Sequence, residues 1–162
     1  MTKQFSCEVV MLSRRRFALS MAGVFLLGGR GRWLAAEAGT PMVVYKSKSC
    51  GCCAKWVDYV QASGFDLEVH DEEGMDQLKD ELGIPREVRS CHTALVGGYL
   101  IEGHVPAADI RRLLARKAKV AGLAVPDMPA GSPGMAEPGA KVGGFEVVAF
   151  QSNGSTEVFA TY

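Results

Sequence analysis

Three cysteines fall within four residues, Cys50-Gly51-Cys52-Cys53, and a fourth, Cys91, stands beside His92 further along the chain. A disulfide between the neighbours Cys52 and Cys53 would strain the peptide, so the cluster is not spaced to staple distant segments together. Cys50 and Cys53 have the C-x-x-C spacing. Where such a pair opens a helix, backbone N–H groups and the helix dipole stabilise a thiolate, which makes the first sulfur reactive or ready for metal. Cys52 adds a sulfur that dithiol exchange does not need. Three thiolates on one turn can converge on metal ions and bridge them, and soft sulfur selects Cu(I), Zn(II) or iron–sulfur clusters. Lys46, Lys48 and Lys55, close by in sequence, are expected to favour anionic sulfur further.

Other soft or imidazole ligands are few. His104, in Glu102-Gly103-His104-Val105-Pro106, either bonds to backbone before a helix or lines the site, and it is counted with the site because imidazole suits copper and zinc. Met128 and Met135 bracket a Pro/Gly-rich stretch. Thioether sulfur suits Cu(I), so Met135 is a candidate ligand, while Met128 reads as a gap-filler. His70, among Asp71, Glu72 and Glu73, reads as an exposed polar residue, and Trp56, one turn past the cysteines, as core.

The elements that would position these residues follow from periodicity. Met42 to Tyr45 is a short strand-like run. Cys53, Trp56, Val57 and Val60 lie on one helical face, and Ser63-Gly64 ends that helix. Phe65 to Val69 alternates as a strand, and Met75, Leu78 and Leu82 mark a second helix stopped by Gly83-Ile84-Pro85. Thr93–Val96 and Tyr99–Ile101 flank Gly97-Gly98 as a hairpin. Pro106 opens a third helix with Ile110, Leu113 and Leu114 buried and Arg111, Arg112 and Arg116 on its wet face. This β-α-β-α-β-β-α order, with cysteines at the first strand-to-helix turn, resembles that of thioredoxin. In a thioredoxin-like fold the loop before the third strand faces the cysteine motif, and a proline commonly stands there. Ser90-Cys91-His92 occupies that place here, delivering a fourth sulfur and an imidazole, which argues for metal over pure dithiol exchange. Val125 to Gly139 is expected to be an irregular loop. Phe145–Phe150 and Glu157–Tyr162 read as a hairpin too small to fold alone, which must lie against the domain.

The first residues read as an address. Ser13-Arg14-Arg15-Arg16-Phe17 precedes an apolar run from Ala18 to Leu27, similar to a twin-arginine export signal. That run is shorter than the roughly 20 apolar residues a bilayer span needs. Ala36-Glu37-Ala38 fits a small-x-small cleavage pattern, which divides the chain into a signal, residues 1–38, and one metal-binding domain, residues 39–162. Cys7 falls in the signal. The domain carries 12 basic against 16 acidic side chains, a net charge of −4, and has no basic stripe for nucleic acid. An oxidising periplasm would demand a reason for free thiols, and metal protection or redox cycling supplies one.

Taken in order, Tyr45 to Cys53, Trp56, Ser90-Cys91-His92-Thr93-Ala94, Gly98-Tyr99, Glu102 to Pro106, Gly122 to Pro126 and Met128 to Met135 closely resemble the CopG-type copper-resistance proteins, a large bacterial family. The resemblance runs from about Met42 to Tyr162. It implies a periplasmic, thioredoxin-like α/β domain, a mixed sheet flanked by helices with a C-terminal loop and β-hairpin extension. It implies Cys50, Cys52, Cys53 and Cys91 as copper-binding thiolates bridging several Cu(I) ions, with a role in copper tolerance and thiol-coupled exchange between Cu(II) and Cu(I). Asp127 departs from the glycine expected between Pro126 and Met128. His92, His104 and Met135 complete the expected metal ligands, with Cys50 and Cys53 as the redox pair. More than one disulfide is open without metal, Cys50–Cys53 being favoured. The alternatives are a periplasmic thiol-disulfide oxidoreductase, which would act without metal and tolerate loss of Cys52, and a four-cysteine iron–sulfur carrier, whose spacing does not match the common ferredoxin patterns. Partners would be copper ions and other copper-handling proteins of the periplasm.

Overall fold

The computed structural model describes residues 39–136 and 139–162. Residues 1–38, read from the sequence as an export signal, lie outside them. No helix among the described residues is long and apolar enough to cross a membrane.

The elements are β1 (Thr40–Lys46), α1 (Gly51–Ala62), β2 (Phe65–Asp71), α2 (Met75–Glu81), a 3₁₀ turn (Arg86–Val88), β3 (His92–Val96), β4 (Tyr99–Gly103), α3 (Ala107–Arg116), β5 (Gly122–Val125), β6 (Glu146–Phe150) and β7 (Thr156–Thr161). One seven-stranded sheet runs in the order β2-β1-β3-β4-β5-β6-β7. β1 and β2 are parallel, β3 is antiparallel to both β1 and β4, and β4 and β5 are parallel. The first four strands with three helices form the α/β, thioredoxin-like arrangement expected from the sequence. The β3–β4 hairpin closes on Gly97-Gly98, with φ 56° and 85°, both positive as a tight two-residue hairpin turn requires.

Side chains alternate across the sheet, so each strand serves two cores. On one face Met42, Val44, Ala94, Val96, Ile101, Leu123, Val125, Val147 and Ala149 meet Trp56 and Val60 of α1 and Ile110 and Leu113 of α3. On the other, Ala124 and Phe150 meet Ile84 and Val88 beyond α2. Fully burying one such side chain is worth about 1.5–3 kcal/mol, so the larger first core fixes α1 and α3 against the sheet.

Two sequence expectations change. The C-terminal hairpin does not merely lie against the domain: β6 pairs with β5 and carries β7 to the sheet edge. The adapter, β5, was not expected as a strand because all four of its residues are buried and show no alternation. The arginines of α3 are not simply a wet face. Arg111 covers the Phe65 ring at 5.2 Å, Arg112 and Arg116 lie over Phe159 at 4.6 and 5.7 Å, and Arg112 pairs with the buried Asp109 at 2.6 Å. Their apolar stems and planar heads cover aromatic surface while staying partly hydrated.

Candidate metal centre

Cys50 is the N-cap of α1, in extended conformation, and Cys52 and Cys53 sit in its first turn. This places three sulfurs at one helix end. Cys50 and Cys53 are joined in a disulfide with Cα atoms 5.4 Å apart, and Cys52 and Cys91 are free. The Cys52 sulfur lies 3.4 Å from that of Cys50. Cys91 comes from the loop before β3, as the sequence implied, and its carbonyl oxygen is 3.7 Å from the Cys53 sulfur. All four sulfurs lie within 4.8 Å of one another. Two thiolates on one metal ion, each at about 2.3 Å, can be at most about 4.6 Å apart, so this cluster is already near the spacing a shared ion needs.

The histidines attach to the cluster through Cys91. Its sulfur is 3.3 Å from His92 Nδ1 and 3.2 Å from His104 Nε2. Cys91, His92 and His104 thus form a second group of potential ligands that shares one sulfur with the first. Both rings are fully buried. The Trp56 ring lies 4.3 Å from that of His92, which is 5.3 Å from that of His104, and the indole N–H donates to the Val105 carbonyl at 3.0 Å. Trp56 is therefore core, as expected, and also one wall of the histidine pair. The second ring nitrogens, His92 Nε2 and His104 Nδ1, have no hydrogen-bond partner.

Burial sets the electrostatics. It holds His92 well below its ordinary range, helped by the nearby His104 and Lys79 and opposed by the Gly103 carbonyl. Burial likewise brings His104 down to about 4, against the opposing Pro133 carbonyl. Both rings are neutral at pH 7 and keep a lone pair, the form in which imidazole binds metal. The Cys91 thiol is pushed up to about 12, first by burial and next by the neighbouring Cys52. The three lysines noted near the first cysteines do not act on Cys91. Lys46 is engaged with Asp71 at 2.8 Å, and Lys48 and Lys55 are exposed to water. Cys91 would become a thiolate only when a metal displaces its proton.

The remaining candidates are placed as follows. Met135 is half-buried in the turn that follows Ser132. The residue before it, Gly134, presses on the first turn of α1: a Cβ there would come within 2.8 Å of Trp56 N and 3.0 Å of the Cys52 carbonyl oxygen. Met128 is exposed. Asp127 has φ 61°, the left-handed region that glycine enters freely, which explains why glycine would be expected there. His70 is exposed, stacks on Tyr45 and contacts Glu68 at 2.9 Å, as a surface residue would.

Two buried charges beside the centre were not singled out from the sequence. Lys79 of α2 and Glu102 of β4 meet at 2.6 Å on the opposite face of the sheet, with Lys79 also donating to Thr93 at 2.9 Å. The Thr93 hydroxyl donates to the other Glu102 oxygen, and the Ser90 N–H donates to Glu102 at 3.0 Å. Signals existed for both. Lys79 shares a helical face with Met75 and Leu82, and Glu102 alternates in phase with the inward-facing Leu100.

Comparison with known proteins gives a consistent picture. A family model described as "Protein of unknown function, DUF411" matches residues 88–135. A solved structure described as "Copper resistance protein copG- Form 1" is 40% identical, with a TM-score of 0.70 over 76% of this chain and 98% of its own. A second, "Copper resistance protein copG- Form 2", is 39% identical, with a TM-score of 0.69 and the same coverage. Among curated proteins none matches the sequence.

Proposed function

The chain belongs to the CopG-type copper-resistance family, and from that premise we propose that it is an exported protein that binds Cu(I) through Cys50, Cys52, Cys53 and Cys91 and contributes to copper resistance. The observation that carries this reading is the convergence of four sulfurs within 4.8 Å, with two neutral, buried imidazoles set against one of them. Thiolates that close can bridge more than one Cu(I), and low-coordinate sulfur sites favour that ion over harder metals. His92 and His104 supply nitrogen ligands at the Cys91 side, and Met135 a thioether from the adjoining loop. Residues 1–38 would direct export to the periplasm, where copper ions and other copper-handling proteins are the partners.

A redox step belongs to the same reading. With the four cysteines reduced, the Cys50 and Cys53 thiols each lose a proton to water and give one electron. Two Cu(II) ions become two Cu(I), and the Cys50–Cys53 S–S bond forms. Cu(I) is then held by Cys52, Cys91 and the imidazoles. The Cys50–Cys53 disulfide, with Cys52 and Cys91 left free, supports this division of labour.

Anaerobic titration of the fully reduced domain, residues 39–162, with Cu(I) against a tight competing chelator tests the binding. More than one copper retained per chain is expected; loss of all copper to the chelator would sink the reading. Reduction of Cu(II) that persists unchanged in both Cys50→Ser and Cys53→Ser would overturn the redox assignment.

One observation favours a second reading. Cys50 is partly exposed and Cys53 is buried, the asymmetry of a dithiol that attacks with its outer sulfur. A metal-free protein that reduces disulfide substrates, and does so equally well as Cys52→Ser, would be a thiol-disulfide oxidoreductase.

A further inference from the structure

Glu102 touches none of the four sulfurs, yet its carboxylate brackets the two residues that join the sulfur and imidazole ligands. One oxygen accepts from the Ser90 N–H, immediately before Cys91, at 3.0 Å. The other accepts from the Thr93 hydroxyl, immediately after His92. Lys79 holds this carboxylate at 2.6 Å and the same Thr93 hydroxyl at 2.9 Å. All three residues are at most 2% exposed. Along β4, Glu102 is followed by Gly103 and then His104. A Cβ at Gly103 would fall 2.3 Å from the Ser90 Oγ and 2.7 Å from the Val125 carbonyl oxygen, so glycine is what lets the segment bearing His104 lie against the Ser90 side chain.

We propose that Lys79 and Glu102 are positioning residues for the metal centre: their buried pair fixes the Ser90–Thr93 segment so that the Cys91 sulfur stands between His92 Nδ1 and His104 Nε2. This rests on the copper-binding reading and extends it to α2, a helix that supplies no ligand. The alternative is that the pair merely holds the fold together. The two differ in what happens when both charges are removed. A buried ion pair replaced by apolar groups of similar volume often leaves stability unchanged or improved, whereas breaking it on one side does not. A purely structural role would therefore be restored in Lys79→Met/Glu102→Leu. A positioning role would not, because the Ser90 N–H and the Thr93 hydroxyl still lose their acceptor.

The test uses that double variant, Glu102→Gln and the unsubstituted protein. Two readouts are the ratio of Cys91 to Cys52 alkylation by iodoacetamide in the metal-free protein, resolved by peptide mass spectrometry, and Cu(I) affinity against a competing chelator. A melting temperature taken alongside reports the fold. The double variant is expected to fold, with a lower melting temperature because the Ser90 N–H and the Thr93 hydroxyl lose their acceptor, to show a raised Cys91:Cys52 ratio, and to bind Cu(I) about tenfold more weakly, the lower end of losses when a ligand's outer partner is removed. Glu102→Gln, which keeps one acceptor oxygen, should fall between the double variant and the parent. A parental alkylation ratio and copper affinity in a double variant that folds would overturn the proposal. So would a Glu102→Gln ratio equal to the parent's if the double variant does not fold. If the parent itself holds no copper, the functional reading fails, and the alkylation ratio alone decides the positioning role.

Discussion

Two buried polar clusters share the β3–β4 pair and lie on its opposite faces, and they are finished to different degrees. On the α2 face, Lys79, Thr93, Glu102 and the Ser90 N–H satisfy one another. On the α1 face, His92 and His104 each set one ring nitrogen against the Cys91 sulfur, and the other nitrogen makes no hydrogen bond of normal geometry among the described residues, although the Gly103 and Pro133 carbonyls act on the two rings. The two faces are one residue apart, since His92 and Thr93 are neighbours on a strand whose side chains alternate. A buried polar group left unpaired costs roughly 1–3 kcal/mol. The Ser90 hydroxyl beside Gly103 is also without a partner, so the contrast is one of kind: charged groups answer one another on the α2 face, while two imidazoles on the α1 face are set against a sulfur.

The largest way to break this comparison is to unbalance the satisfied cluster. Glu102→Leu alone leaves Lys79 buried opposite a lost carboxylate and should destabilise the protein by about 3–5 kcal/mol, read from urea unfolding. The change is expected to be far larger than that for any histidine on the opposite face. A loss no greater than that of His104→Leu would mean the two clusters are energetically alike.

Acid offers a second contrast. His104 titrates near 4 in the folded chain, from an ordinary value of 6.5, and His92 lies well below the same value. A depressed pKa means that the unfolded state takes up protons first. The stability these rings contribute is therefore complete above pH 6.5 and lost as pH falls from there towards 4. Unfolding of the metal-free protein at a series of pH values should show this decline, and His104→Leu should flatten it. An unaltered slope in that variant would assign the acid sensitivity elsewhere.

At neutral pH the same substitution should do little to the fold. Roughly volume-conserving swaps in a core usually cost under about 1.5 kcal/mol, and here Leu also removes an unpaired ring nitrogen. Copper retention should nevertheless fall. A His104→Leu protein that unfolds like the parent but loses copper to a chelator more readily would sharpen the contrast between a face built to hold the fold and a face built to hold a ligand.

Much of the ligand side was legible from residue order alone. Cys50, Cys52 and Cys53 are contiguous, and the strand and helix around them have clear periods, so their meeting needed no tertiary knowledge. Cys91 and His92 were placed by the order of elements, which put the loop before β3 against the first helix turn. The disulfide pairing was favoured but open, because C-x-C-C permits more than one bridge. What was missed, although periodicity hinted at it, was burial acting on charge. Lys79 looks like a solvent-facing residue until α2 is laid on the sheet, and Glu102 looks like a turn carboxylate until β5 covers β4. That strand escaped notice because a fully buried run carries no alternation. Nor could the sequence show that Lys46 pairs with Asp71 across the parallel β1–β2 pair, or that burial governs Cys91.

The smallest test concerns the loop that closes the ligand side. Asp127 and Met128 both have positive φ, at 61° and 47°, a conformation that costs a non-glycine residue roughly 1–2 kcal/mol. Asp127→Gly removes that penalty but enlarges the conformational freedom of the unfolded chain, which returns part of the gain. The net should be a stabilisation below about 1 kcal/mol, visible as a small rise in the urea midpoint. Copper affinity should not move, because Asp127 lies before the turn that presses Gly134 against the Cys52 carbonyl, and that turn is held by Ser132 donating to Pro129 through both its backbone N–H and its hydroxyl. A shift in affinity with Asp127→Gly would show that strain in the loop reaches the sulfurs. The contrast between the two faces would then extend from unpaired nitrogens to backbone conformation.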